Sequence, residues 1–285
     1  MVNQWRGERV FAASILSYTT RKCRAITNAG IAVGLPVSGR HVSRITRVSP
    51  LRQLAKWHNR RVIISLQQQY VFVATTKAAS TTIERLLLPH AEICLHGEPK
   101  LKHMPLGKIH SVFAPLFGQS SLDLTDFVSF GVMREPTEWV ISWFNYLSRP
   151  GLAKRNSARY VGEIDFDEFC SGLTLPMEQR PTWTIGGQLN RFALEGKLGI
   201  NALVDHARIA AGFAQLTDLI GHDLSADLQT RRDNASRNVR LRIDDVTEAQ
   251  QTTLSERFRE DYELYAKVRQ SPNGLYWANP VEREL

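Results

Sequence analysis

The chain predicts an α/β fold with a central parallel sheet, and three observations carry that expectation. Two short apolar, β-branched runs, "YVFVAT" at 70–75 and "FVSFGVM" at 127–133, each lead through a polar turn into a helical pattern. A one-sided helical pattern closes the carboxyl-terminal part from Thr247 onward. With 285 residues, 43% of them hydrophobic, the chain is too apolar to be disordered. It is long enough for one core of roughly 220 residues.

Residues 1–60 stand apart by composition. Residues 1–62 hold 12 Lys/Arg against the single acid Glu8, a formal +11 in a chain of net +8, so the remainder is near −3 and not globally basic. Three readings stay open for this segment: a transit peptide, a basic arm for anionic polymers or membrane surfaces, or a poorly ordered extension. No stretch approaches the ~20 consecutive apolar residues of a membrane span, and no apolar region with a clean cleavage site follows the start. The expectation is a cytoplasmic protein without a transmembrane span, in which membrane contact, if any, is peripheral and made by the basic amino terminus. Nucleic acid is not expected as a partner.

Residues 61–285 are expected to form one domain. In its first unit, the strand at 70–75 is followed by a helix at 80–88 with Ile83, Leu86 and Leu87 at helical spacing, stopped by Pro89. In the second, the strand at 127–133 runs through "REP" into "TEWVISWFNYL". There Trp139, Val140, Trp143, Phe144 and Leu147 form one apolar face, and Pro136 sits in the first turn, where helices accept proline. "DFDEFC" places Asp165 three before Glu168, the start of a capped helix. Residues 182–222 read as short helices and loops. From the Thr247/Gln250 capping box, Leu254, Phe258, Tyr262, Tyr265 and Val268 recur at helical spacing.

The three cysteines, Cys23, Cys94 and Cys170, form no CxxC pair, which fits a reducing compartment without a disulfide framework or thiolate metal site. His90, His96, His103 and His110 fall within 21 residues. Their spacings of six and seven, broken by Pro99 and Pro105, put no two of them on one helical face, so no metal site is expected.

Chemistry concentrates at the two turns. In "TTKAASTTIERLL" the helix start offers unpaired N–H groups and the positive end of the helix dipole to an anion. Lys77 adds a full charge, Ser80, Thr81 and Thr82 add hydroxyls, and small Ala78 and Ala79 allow close approach of the backbone. A Walker loop needs GxxxxGK[ST], yet no glycine occurs between 70 and 90, which disfavours nucleoside triphosphate hydrolysis. The plainer alternative is a solvent-exposed turn whose Ser80 caps a helix. In the second unit Arg134 ends the strand and Ser142 lies in the helix. An ion pair with Glu135 or Glu138 is the plain role for that arginine; two such sites on neighbouring strands suit a ligand with two separated anions.

"TTKAASTTIERLL" resembles the 5′-phosphosulfate-binding loop of sulfotransferases, and "VMREPTEWVISWF" is similar to their 3′-phosphate-binding segment, an R-x-P at a strand end with a serine eight residues later. Weaker echoes are "LKHMPLGKI", "AGFAQLTDLIGHDLSADL", "DNAS" and "FREDYELY", so the resemblance spans roughly 68–268. It departs from the pattern at Thr76, where a proline is usual, and at Trp139, where an arginine is common.

The resemblance implies a P-loop-like three-layer domain using 3′-phosphoadenosine 5′-phosphosulfate without a metal, and a hydroxylated acceptor on a sugar or glycoconjugate. Lys77, Ala78, Ala79, Ser80, Thr81 and Thr82 would hold the 5′-phosphosulfate, and Arg134 and Ser142 the 3′-phosphate. Asn234, Ser236 and Arg237, in the polar turn "RRDNASR", would lie beside the nucleotide. His103 is the candidate general base, with His96, Glu98 and His110 as fallbacks. Two rivals remain, a kinase-like phosphotransferase and a non-enzymatic polyanion-binding protein.

Overall fold

Two apolar faces on the same strand force a layered architecture, and the strand at Tyr70 shows why. In the computed structural model, which describes residues 62–95, 103–118, 122–230 and 239–280, β2 (Tyr70–Val73) is buried along its whole length. Val71 and Val73 enter one hydrophobic cluster, and Tyr70 and Phe72 the other. Alternation along a strand sends neighbours to opposite faces, so both faces must be covered. The segment 1–60 lies outside the described residues.

Among the described residues the sheet has six strands. Three are β1 (Ile63–Ser65), β2 and β3 (Ile93–Cys94). Beyond them come β4 (Val128–Met133), β7 (Ala202–Asp205) and β8 (Leu275–Trp277), with β5 (Ala193–Leu194) and β6 (Lys197–Leu198) forming a separate hairpin. The spatial order is β3-β1-β2-β4-β7-β8. The inner strands β2, β4 and β7 are parallel, while β1 pairs antiparallel with both β2 and β3, and β8 antiparallel with β7. The parallel sheet expected from the sequence is therefore the centre of a mixed one. The outer strands are three residues or fewer, too short for a periodic signal.

Helices cover both faces. On one, α2 (Leu106–Phe117) packs Leu106, Ile109, Phe113 and Phe117 against Val71 and Val73. On the other, α1 (Ser80–Leu87) packs Ile83, Leu86 and Leu87 against Tyr70 and Phe72. The expected helix after "REP" is α3 (Pro136–Leu147), with proline in its first turn and the Glu135 carboxylate accepting the Glu138 N–H at 2.7 Å as its cap. Trp139, Val140, Phe144 and Leu147 are buried as expected, in a third cluster with α4 (Phe166–Thr174), which Asp165 caps.

Two expectations are corrected. The region 182–222, read as short helices and loops, contains β7, a central strand. "ALVD" is buried at every position, and so short a run inside glycine-broken sequence carries no alternation to read. The single helix expected from Thr247 is two. The Thr247/Gln250 box does start α5 (Glu248–Arg257), but Phe258 leaves helical geometry at φ −116°, ψ 31°, and α6 (Arg259–Gln270) starts after it. Phe258 is buried with α3 while Leu264, Tyr265 and Val268 are buried against the sheet, so the break lets one apolar stripe serve two cores.

Candidate functional site

The site lies at the carboxyl ends of the parallel strands, where open α/β sheets hold ligands. In register, Val73 faces Gly131 and Met133 faces Asp205. The turn bearing Lys77, then Arg134, then Asp205 thus leave β2, β4 and β7 in a row.

Without glycines the first loop bends at cost. Lys77 has φ 63° and Ala79 φ 55°, both in the left-handed region that strains side chains. Such turns gather successive N–H groups into an anion-binding concavity. Ser80 does not cap α1; Ala79 occupies that position without any side-chain cap, and Ser80 is the first helical residue. Ala78, Ser80 and Thr82 are buried, whereas Ala79 and Thr81 are half-buried. The loop is tied down by Trp139, whose indole Nε1–H donates to the Thr76 carbonyl at 2.8 Å. The tryptophan that stands where the resemblance expects an arginine thus supports the loop from beneath.

Of the two ion-pair partners expected for Arg134, Glu138 is the one it meets, and it makes a further contact to the first loop. Its Nε donates to Glu138 at 3.1 Å, the plain ion pair, while Nη1 points to the Lys77 carbonyl at 3.5 Å. Ser142 is one turn beyond Glu138 on α3 and one turn before Tyr146, so these three share a helix face. Lys77 Nζ stands 4.7 Å from the centre of the Tyr146 ring, and the Arg149 guanidinium 5.0 Å from it. This face therefore carries Arg134 at one end, Lys77 and Arg149 at the other and Ser142 between. Burial, then the charges of Arg149 and Arg134, lower the Lys77 pKa to about 8.

His103 is anchored next to the loop. Its Nδ1 lies 3.1 Å from the Ala74 carbonyl, at the end of β2, and its own carbonyl accepts from Arg191 Nη1. A carbonyl only accepts, so Nδ1 carries the proton and Nε2 keeps the lone pair in the neutral ring. His110 is on α2, where burial lowers its pKa and its charged neighbours are Asp123 and Glu195. His90 stacks on His222 at 4.6 Å between ring centres. Those two histidines do not join the loop. His96, Glu98, Asn234, Ser236 and Arg237 lie outside the described residues.

Four residues of the site had no role assigned from sequence. Tyr146 and Arg149 carried a usable signal, since Tyr146 falls four after Ser142 on the same face. Gln188 and Asp261 join the site only through long-range hydrogen bonds, across 54 and 73 residues. Comparison with protein-family models, curated proteins and solved structures finds no match.

Proposed function

We propose that residues 61–285 form a sulfotransferase, moving the sulfuryl group of 3′-phosphoadenosine 5′-phosphosulfate to a hydroxyl of a carbohydrate or glycoconjugate. The observation that carries this reading is the pairing of Lys77 and Arg134 at the ends of adjacent parallel strands, Arg134 Nη1 3.5 Å from the Lys77 carbonyl. A ligand with two separated anions suits that pair. The residues fit such a guest on three further counts. Lys77 is a desolvated cation beside two other cations, its loop is bent into the left-handed region, and Thr75 Oγ1 is buried with no hydrogen-bond partner.

The donor, when bound, supplies an activated sulfuryl group on a 5′-phosphate and a 3′-phosphate as a handle. Transfer of this kind asks the protein for positioning and electrostatics more than covalent chemistry. Arg134 and Ser142 hold the 3′-phosphate; with Nε committed to Glu138, the arginine turns its Nη groups to the ligand. His103 takes the acceptor hydroxyl proton at Nε2 as the new oxygen–sulfur bond forms. Lys77 carries the charge released to the 5′-phosphate oxygen as the old sulfur–oxygen bond breaks.

The test is calorimetric binding of the desulfated product, adenosine 3′,5′-bisphosphate. Micromolar binding that Lys77→Ala abolishes and Arg134→Ala weakens about 10²-fold is expected; a wild-type protein that does not bind ends the reading. His103→Ala should bind the bisphosphate normally yet turn over about 10²-fold more slowly or worse, the scale of a lost general base.

A further inference from the structure

Arg134 is the first residue past the sheet. The β4–β7 ladder ends with Met133 opposite Asp205, so the peptide groups of Arg134 have lost their strand partner. One side-chain amide takes over both. Gln188 Oε1 accepts the Arg134 N–H at 3.1 Å, and Gln188 Nε2 donates to the Arg134 carbonyl at 2.8 Å. The amide thus imitates one more rung of the ladder.

Gln188 is held in turn. Its N–H donates to Asp261 Oδ2 at 2.7 Å and the next N–H, of Leu189, to Asp261 Oδ1 at 2.8 Å. Gly187 makes room, because a Cβ there would stand 2.8 Å from Asp261 Oδ2. Gln188 is 0% and Asp261 2% exposed. Burial pushes the Asp261 carboxyl upward and the two N–H bonds pull it back. A dry carboxylate of this kind adds little stability over a well-packed apolar residue, so its value lies in fixing geometry.

We propose that Gln188 and Asp261 are positioning residues that fix the direction of the Arg134 guanidinium toward the anion, a role resting on the reading of Arg134 as the 3′-phosphate ligand. Asp261 sets the Gln188 amide, the amide sets the Arg134 peptide, and the peptide sets where the side chain starts. Glu138 takes Nε from the other side.

Two probes separate this role from plain stability: adenosine 3′,5′-bisphosphate, which uses Arg134, and adenosine 5′-monophosphate, which does not. Gln188→Met should weaken the bisphosphate about tenfold or more, as loss of a charge-assisted contact does, and leave the monophosphate within about twofold. Placed on Arg134→Ala, it should cause no further loss, since there is no guanidinium left to aim. Asp261→Asn, the second variant should Gln188→Met not fold, keeps the side-chain shape but sets an NH2 against one of the two N–H groups, and should show the same pattern. Equal loss of both nucleotides, additive losses in the double variant, or wild-type bisphosphate binding by Gln188→Met and Asp261→Asn overturns the positioning role alone. A wild-type protein that binds neither nucleotide overturns the functional reading and this role with it.

Discussion

At Lys77, burial and the guanidinium groups of Arg149 and Arg134 bring the ammonium pKa from 10.5 to about 8. The unfolded chain keeps that proton to its ordinary value while the folded chain releases it earlier. Between about pH 8 and 10.5 unfolding therefore takes up a proton, and stability rises with pH across that window. Lys77→Met should remove this rise and raise the urea midpoint at pH 7, while losing the bisphosphate. Binding runs the other way. Above pH 7 the phosphates are already ionised, so affinity should fall as pH climbs through about 8 and Lys77 discharges. Lys77→Arg, charged throughout, should flatten that fall in calorimetric titrations. At Ala79, φ 55° strains a side chain that glycine lacks. Ala79→Gly should stabilise the fold by about 1 kcal/mol in urea unfolding.

At the scale of elements, α3 and the β2–α1 loop form one device joined by Trp139. Its ring packs edge-on against Phe258 and Trp143, with centroids 6.0 and 6.4 Å away, and its N–H holds the Thr76 carbonyl. Trp139→Phe keeps an aromatic ring and loses that bond. It should cost about 1–3 kcal/mol, the price of a buried carbonyl left unpaired, and should loosen the loop enough to weaken bisphosphate binding. Trp139→Arg, the residue the sequence resemblance expects, should do worse. The site is 3% exposed, and an unpaired charge there costs about 3–5 kcal/mol; a lower melting temperature in calorimetry checks it. What this position supplies in the folded chain is the hydrogen bond to Thr76 and the two ring contacts.

For the whole molecule, the layout separates a basic segment of +11 from a remainder near −3. All the site residues described above come from the second part. Removing residues 1–60 should leave affinity for the bisphosphate unchanged within about twofold. Loss of binding on that deletion would instead favour a polyanion-binding protein working through its arm. None of the described helices is long and apolar enough to cross a membrane.

Local sequence determined the elements on which the candidate site stands. The buried strands at Tyr70 and Val128, the proline-started helix at Pro136, the caps at Asp165 and Thr247, and the Lys77 and Arg134 turns all follow from neighbours within a few residues. Periodicity, proline and capping chemistry act over that range, so they can be read from the chain. Tertiary structure alone decided the rest. β7 became a central strand because β4 lay beside it, not because "ALVD" announced one. The carboxyl-terminal stripe broke at Phe258 because two cores competed for it. Gln188 reached Arg134 across 54 residues and Asp261 reached Gln188 across 73, where no spacing rule applies and only the folded chain brings the donors to their acceptors.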